Sequence, residues 1–445
     1  MAHTTPAPDR DSLPKVVIVG GGFGGLAVAK GLHDAPADVL LIDQRNHHLF
    51  QPMLYQVAMG QVMPGDIAEP LRRVFEGDAT VRPRMDAVEG VDLDARRIDF
   101  ASGQSTHYDM LVLAPGARFQ YLGHPEWEAH VFTLKNLEQA MGMRERIFSA
   151  LEQAGHAEDD AARRAHLSFV IVGAGPTGVE LAGALGRLLP GIVDKQFPEI
   201  DRKQLRIMLI DPKPRALATM HESLGIYAGQ RLQAMGVELM TEVAVDDIGD
   251  GWVQLPDEQR IDATTIIWAA GMEGAGAGDW LPEALVGKGN KVPVGADLTV
   301  PNHPEVFVIG DAAAATNEDG EPYPGLAAVA KQQGAYVADV IRARLDPARG
   351  PPSRFHYKDY GTMAIIANGC AVGEIRGHDV DGLSAWLLWG MVHLYSLVSA
   401  GKRVMVLASW LWAMLTGRHQ RVLLTSAGRH KRDTEADSAA ASKPS

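Results

Sequence analysis

The stretch that decides the fold is Lys15-Val-Val-Ile-Val-Gly-Gly-Gly-Phe-Gly-Gly25, an apolar β-branched run that passes straight into a glycine-rich turn. The pattern recurs as Phe169-Val-Ile-Val-Gly-Ala-Gly-Pro-Thr-Gly178, with Gly173 falling 153 residues after Gly20. A Val/Ile run of this kind reads as a strand buried on both faces. The glycines let the backbone turn tightly beneath a pyrophosphate, and the following helix aims its free amides at the phosphates. One such turn is a weak signal; two, each in strand–turn–helix context, predict two dinucleotide-binding domains. The common chemical reason to hold two dinucleotides is to pass a hydride from one to the other.

At 445 residues the chain has room for two or three domains with ample cores. Its single cysteine, Cys370, excludes a disulfide framework and an intramolecular redox dithiol, and reads as a small buried apolar residue. Residues 1–14 are polar and lack the apolar core of a signal peptide, as expected of a disordered N-terminus on a cytoplasmic protein. Charge is unevenly spread. Between Leu383 and Arg432 stand seven basic residues (402, 403, 418, 421, 429, 431, 432) and no Asp or Glu, so the body is still more acidic than the net −13. Only the C-terminal segment is suited to an anionic surface; nucleic acid is excluded because the body repels it.

In the first half, Leu26-Ala-Val-Ala-Lys-Gly-Leu32 continues as a helix, and Asp38-Val-Leu-Leu-Ile-Asp43 is the next strand. Asp43 ends that strand 23 residues after Gly20, where an acid accepts hydrogen bonds from an adenosine ribose. The bland alternative is a solvated strand-end Asp. A flavin site also needs a later strand that meets the ribitol chain, and Val306-Phe-Val-Ile-Gly-Asp311 supplies one whose terminal carboxylate suits ribitol hydroxyls. Tyr108-Asp-Met-Leu-Val-Leu-Ala-Pro-Gly116 and Thr265-Ile-Ile-Trp-Ala-Ala-Gly271 are matching strand–turn pairs in the two halves, which argues for a duplicated dinucleotide fold.

In the second half, Glu180 follows the last motif glycine by two residues, in the first helical turn. It reads either as compensation of the helix dipole or as a group at the reacting nicotinamide. Asp211 closes the strand Leu205-Arg-Ile-Met-Leu-Ile-Asp211, 38 residues after Gly173; residues 189–204 are an insertion that accounts for the long spacing. An acid there accepts both ribose hydroxyls and repels a 2′-phosphate, favouring NADH over NADPH, while Lys213 and Arg215 soften that preference.

The segment Asn46-His-His-Leu-Phe-Gln-Pro-Met-Leu-Tyr-Gln-Val-Ala-Met-Gly60 resembles the signature of type II NADH dehydrogenases, single-subunit NADH:quinone oxidoreductases. The resemblance runs from about residue 15 to about residue 425. It implies an α/β fold of two Rossmann-like domains, flavoprotein disulfide reductase-like, with a C-terminal amphipathic helical membrane-anchoring segment. It implies FAD contacts from Gly20, Gly22, Phe23, Gly24, Gly25, Asp43, Gln44, Gln51, Ala114, Gly116, Asp311 and Ala328, with Val88 meeting the adenine through its main chain. NADH is expected at Gly173, Gly175, Gly178, Glu180, Asp211, Ala270 and Gly271, and the matching family glutamate faces nicotinamide and flavin. Pro324-Gly-Leu-Ala-Ala-Val-Ala-Lys-Gln-Gln-Gly334 resembles the helix carrying the family's Ala-Gln-x-x-x-Gln motif. Ala327 and Gln332 fit, making Gln332 the second catalytic expectation, but Ala328 occupies the first glutamine's place. No metal site is expected.

For the electron acceptor, the lone cysteine argues against disulfide reductases and sulfide:quinone oxidoreductases, which use paired cysteines. Leu383 to Ala400 is an apolar run of 18 residues, followed by Gly401-Lys-Arg403 and a second apolar run, Val404 to Thr416. The first is borderline for a span of ~20 residues and the second too short. Tryptophans 386, 389, 410 and 412 with flanking Lys/Arg suit helices lying in the membrane surface. The competing reading is a hydrophobic dimer interface, and the resemblance implies a homodimer through this region.

These readings divide the chain into a discontinuous FAD domain (15–127 and 288–350), an NADH domain (128–287), a membrane and dimerisation segment (351–432) and a disordered tail (433–445). The expected protein is peripheral on the cytoplasmic face of the plasma membrane. It passes hydride from NADH to FAD and two electrons to ubiquinone or menaquinone, without proton pumping since the sequence offers no multi-helix channel. The alternatives are a soluble NAD(P)H reductase of a ferredoxin or rubredoxin, and an NADH-sensing flavoprotein acting through a partner.

Overall fold

A computed structural model describes residues 10–416 and Leu424. In chain order its main elements begin with β1 (Lys15–Val19), α1 (Phe23–Gly31), β2 (Asp38–Asp43), α2 (Leu54–Ala58), β3 (Val81–Met85), β4 (Met110–Leu113) and α3 (Leu137–His156). Next come β5 (Ser168–Val172), α4 (Pro176–Gln196), β6 (Arg206–Asp211), β7 (Val237–Thr241), β8 (Thr265–Trp268), β9 (Thr299–Val300) and β10 (His303–Val308). The chain ends in α5 (Ala327–Leu345), the strands β11 (Thr362–Ala367), β12 (Cys370–Ile375) and β13 (His378–Asp381), and the helices α6 (Gly382–Ser396) and α7 (Ala400–Thr416).

The chain divides into two units. The first holds residues up to Leu49, then Ala68–Gln120 and Met272–Asp359; the second holds Phe50–Ile67, Tyr121–Gly271 and the chain from Tyr360 on. The first unit is built on a six-stranded sheet of order β9-β10-β4-β1-β2-β3. Its central strand β1 pairs in parallel with β2 (Val16 opposite Val39) and with β4 (Val16 opposite Met110). Val16, Val17 and Ile18 are fully buried, as a parallel strand covered on both faces must be. In the second unit β5 holds the same place in a four-stranded parallel sheet of order β7-β6-β5-β8. A three-stranded antiparallel sheet, β11-β12-β13, follows in the same unit.

The unit boundaries fall away from the sequence-derived ones in one instructive place. Phe50–Ile67, read as part of the first segment (15–127) of the FAD domain, groups with the second unit. Its α2 packs on α3, and its short helix Pro64–Ile67 packs on α7. The residues of that segment that decide this are apolar and buried: Met53, Leu54, Val57 and Ala58 are almost wholly covered.

Candidate functional site: two dinucleotide cradles and a buried carboxyl

The turn after β1 folds as its glycines require. Gly20 has φ +104°, and a Cβ there would lie 2.2 Å from the Ala114 carbonyl oxygen. Its N–H donates to the Ile42 carbonyl at 2.7 Å. Gly25, at the start of α1, passes so close to Gly20 that a Cβ would meet the Gly20 carbonyl oxygen at 1.8 Å. Gly22 caps α1 in extended conformation with no side-chain cap, which leaves the helix's first N–H groups for an anion. Asp43 accepts from Gly21 N–H and Arg45 N–H, each at 2.7 Å. Two backbone amides thus hold the carboxylate at the strand end.

The second unit repeats these bonds one for one. Gly173 has φ +107° and would clash through a Cβ with Ala269, while Gly178 would meet the Gly173 carbonyl oxygen at 1.8 Å. Gly173 N–H donates to Ile210 at 2.8 Å. Gly175 caps α4 without a side-chain partner, and Pro176 occupies the first turn, where its missing N–H costs nothing. Asp211 accepts from Ala174 N–H at 2.6 Å and Lys213 N–H at 2.8 Å. Each turn presents uncapped helix amides and an amide-held acid, the donor set that fits a pyrophosphate and a ribose.

The first unit adds two further groups. His48 is buried and its ring Nδ1 lies 2.9 Å from the Gly21 carbonyl oxygen, which fixes the proton on Nδ1. Burial lowers its pKa to about 4, so it is neutral. Its ring stands edge-on to Phe23, with centroids 5.1 Å apart. Asp311, in the short helix after β10, is half-buried and makes no side-chain hydrogen bond among the described residues, as suits a carboxylate kept for ribitol hydroxyls. Gln333 is buried beside it and accepts from Gly310 N–H at 2.6 Å.

The remaining expected cofactor residues are placed as follows. Ala114 and Gly116 form the turn after β4, and Val88 opens a small antiparallel sheet in the same unit as Gly20 and Asp43. Gln44 and Ala328 are exposed, at the end of β2 and in the first turn of α5. Ala270 and Gly271 follow β8 in the second unit, Gly271 with φ +63°. Gln51 belongs to that second unit too, and its side-chain amide donates to the Lys135 carbonyl at 3.0 Å. Gln332 has both amide atoms engaged by one peptide: it donates to the Lys358 carbonyl at 3.0 Å and accepts from Lys358 N–H at 2.9 Å. In this structure it clamps the chain leaving α5, and its neighbour Gln333 is the glutamine turned to the Gly310–Asp311 corner.

Glu180 calls for a correction. It is the fifth residue of α4, beyond the first turn, which contains no acid. Compensation of the helix dipole fades within that turn, and it would lower a carboxyl pKa. Instead, burial pushes Glu180 up to about 8, opposed only by a hydrogen bond from Ile365 N–H. Part of the residue's surface is still accessible, while the protein around the carboxyl desolvates its charged form. The strand that supplies Ile365 lies flush on α4: a Cβ on Gly183 would meet the Ile366 carbonyl oxygen at 1.7 Å. The nearby Tyr55 phenol is raised well above its usual range, by burial first and then by the Glu180 charge. Gln56, also buried, donates to the Tyr55 hydroxyl at 2.9 Å and accepts from Trp410 Nε1 at 2.9 Å. Tyr55 and Gln56 had no assigned role in the sequence; two adjacent polar residues inside the apolar Leu54–Ala58 helix were the available signal.

The C-terminal helices are two-faced, but not with all tryptophans outward. Trp389 is buried and stacks on His393 at 3.9 Å, with Trp410 tilted against it at 5.9 Å. Burial lowers the His393 pKa to about 4, while its Nδ1–H donates to the Trp389 carbonyl at 2.7 Å. Of the four tryptophans only Trp412 is largely exposed, at 63%. The outward face of α6 is instead Leu383, Leu387, Met391 and Tyr395, one residue per turn; α7 exposes Val404, Leu407 and Leu411 in the same manner. Lys402 bonds the Gly65 carbonyl, and Arg403 lies over the Tyr395 ring at 5.3 Å. Among the described residues no helix is long and apolar enough to cross a membrane, and no cluster of His, Cys, Asp or Glu is placed to hold a metal. The basic positions 418, 421, 429, 431 and 432, residues 1–9 and the acidic tail lie outside the described residues.

One uncapped dinucleotide cradle in each unit defines a nucleotide-dependent reductase of the flavoprotein type. The fold superposes on that of NDH2 of Plasmodium falciparum with a TM-score of 0.84 at 17% identity, covering 92% of this chain and 100% of that one. The chain also shares the fold of the Aquifex aeolicus sulfide:quinone oxidoreductase, with a TM-score of 0.68 at 18% identity over 94% and 100% of the two chains. Residues 14–334 match the family described as pyridine nucleotide-disulphide oxidoreductase. The Mycobacterium tuberculosis type II NADH:quinone oxidoreductase Ndh is 36% identical over 424 residues, 92% of this chain and 90% of that protein. An Arabidopsis thaliana internal alternative NAD(P)H-ubiquinone oxidoreductase is 27% identical over 93% and 86% of the two chains. The chain therefore belongs to the pyridine nucleotide-disulphide oxidoreductases and, within them, to the type II NADH:quinone oxidoreductases.

Proposed function

We propose that this protein oxidises NADH and reduces a membrane quinone, ubiquinone or menaquinone, through FAD and without proton pumping. The observation that carries the reading is the bond-for-bond repetition of one nucleotide cradle in a chain whose relatives are named for that reaction. Bound FAD supplies the two-electron redox chemistry between nicotinamide and quinone. Gly20, Gly22, Gly25, Asp43 and Asp311 hold it, with Phe23, Gly24, Gln44, Gln51, Val88, Ala114, Gly116 and Ala328 as further contacts carried over from the family. Gly173, Gly175, Gly178, Asp211, Ala270 and Gly271 hold NADH. Glu180 keeps a proton near neutral pH and is the group suited to exchange one during turnover. Gln332 holds the Lys358 peptide, and through it the chain that leads to β11, the strand that carries Ile365.

The protein works in a respiratory chain as a peripheral homodimer on the cytoplasmic face of the membrane. Support for docking is the pair of apolar stripes on α6 and α7, on helices too short to span. Support for the cytoplasmic side is the free thiol of Cys370. A purified sample should show a flavin spectrum that NADH bleaches and added quinone restores; bleaching that quinone fails to reverse would reject quinone as acceptor. Docking is tested on full-length protein in liposome flotation. Leu387→Glu and Met391→Glu should each abolish co-flotation, and flotation equal to the parent's would defeat the membrane assignment.

A further inference from the structure

We propose that Gln333 is a positioning residue for the flavin: by holding the Gly310 peptide from α5, it fixes where the Asp311 carboxylate stands. The proposal deepens the role just given to Asp311 and rests on that reading.

Gln333 breaks an apolar pattern. At intervals of four residues α5 buries Val329, Gln333, Val337 and Ile341, and the glutamine is only 1% exposed. Its companions on that stripe are all aliphatic, so packing alone asks for an apolar side chain at position 333. A buried amide without a partner costs about 1–3 kcal/mol, so a glutamine belongs there only where something uses it. Its Oε1 accepts from Gly310 N–H at 2.6 Å, 23 residues back in the chain. Gly310 needs that acceptor. The parallel ladder between β10 and β4 closes one residue earlier, where Ile309 N–H donates to the Leu113 carbonyl at 3.0 Å. The chain then turns through Gly310 at φ +70°, in the left-handed region, and its N–H is met by the Gln333 side chain.

The helix that carries the glutamine is itself fixed against the first phosphate cradle. α5 packs along α1, and a Cβ on Gly334 would stand 2.3 Å from the Gly24 carbonyl oxygen. A Cβ on Gly24 would in turn lie 3.3 Å from the Ala330 carbonyl oxygen and 3.0 Å from the Ile309 side chain. Gln333 thus reaches from a seated helix to the corner that bears Asp311. The carboxylate has no such support of its own. It makes no side-chain hydrogen bond among the described residues, and beside its Oδ1 stands the bare backbone of Gly325, where a Cβ would be 3.4 Å away. Its direction therefore follows from its main chain. Glycine turns readily at φ and ψ, so without the Gln333 bond the corner can swing and carry the carboxylate with it.

The test is the FAD affinity of the full-length protein, from the change in flavin fluorescence on titration. Gln333→Met keeps the length and apolar packing but removes the acceptor, and should weaken FAD binding about tenfold. Because Gln333 acts through Asp311, the loss should vanish when the substitution is made in Asp311→Ala. It should return in Asp311→Asn, which keeps an acceptor oxygen at the corner; a general loosening of α5 would weaken FAD in all three backgrounds. Parent-like affinity in folded Gln333→Met, with Asp311→Ala weakened, would overturn the proposal alone. So would an equal further loss when Gln333→Met is added to Asp311→Ala. Unchanged affinity in Asp311→Ala would instead reject the ribitol role, and the proposal with it. If Gln333→Met yields no folded protein, Gln333→Asn, one methylene short of Gly310, is read in its place against the same outcomes.

Discussion

Replacing Glu180 by Gln should make the protein more stable, and increasingly so as pH rises. In the folded protein the carboxyl keeps its proton up to about pH 8, whereas in the unfolded chain it loses it near the ordinary value of 4.5. Between those limits the folded state binds one more proton, so stability falls as pH increases, at a rate of up to about 1.4 kcal/mol per pH unit. Glutamine keeps the shape and an oxygen for Ile365 N–H, and removes the titration. The advantage of the variant should therefore grow by up to about 3 kcal/mol between pH 5.5 and pH 7.5. For a unit of this size that corresponds to roughly 5–10 °C in melting temperature. The assay is a pair of thermal melts at half-unit pH steps on flavin-loaded protein. The same variant should slow NADH:quinone turnover with flavin retained. A melting difference that stays constant from pH 5.5 to 7.5 would refute the buried, protonated carboxyl on which the role of Glu180 depends.

Three further outcomes follow from the cradles. Asp311→Ala should release flavin, seen as loss of visible absorbance after desalting, while NADH still quenches protein fluorescence; retained colour would remove Asp311 from the ribitol role. Gly178→Ala forces a methyl group to within 1.8 Å of the Gly173 carbonyl, so the turn must open. NADH affinity should drop at least about tenfold, or ~1.4 kcal/mol, with flavin content unchanged, as measured by equilibrium titration. His48 resists protonation down to about pH 4, whereas an unfolded histidine accepts a proton near 6.5. Stability it confers is full above 6.5 and lost as pH falls toward 4, so His48→Gln should flatten the acid side of the melting curve over that window.

The parts of this site that sequence made legible are those where one backbone geometry admits one residue type. Gly20, Gly25, Gly173 and Gly178 are dictated by a left-handed φ or a carbonyl within contact distance, so their spacing carries the fold. Asp43 and Asp211 were legible for the same reason, since a strand-end acid two residues before a turn amide has a fixed place. What sequence could not give is burial contributed from far along the chain. Glu180 read as a first-turn acid because its environment comes from β11, some 185 residues later. Trp389 and Trp410 read as interfacial because nothing local distinguishes an inward tryptophan from an outward one; Gln56 and His393, their partners, decide it. Gln332 matched a motif position, and only the path of the chain near Lys358 reveals that its amide is engaged.

Gly183 has no phosphate to approach and no unusual dihedral to adopt; its bare α-carbon is what lets a neighbouring strand settle on the helix. Any larger residue there must lift that strand, and with it Ile365 N–H, the donor that opposes desolvation of Glu180. Acidity at the heart of the enzyme is thereby governed by a residue one turn removed that never touches a ligand, and the size of one side chain acts as its tuning screw.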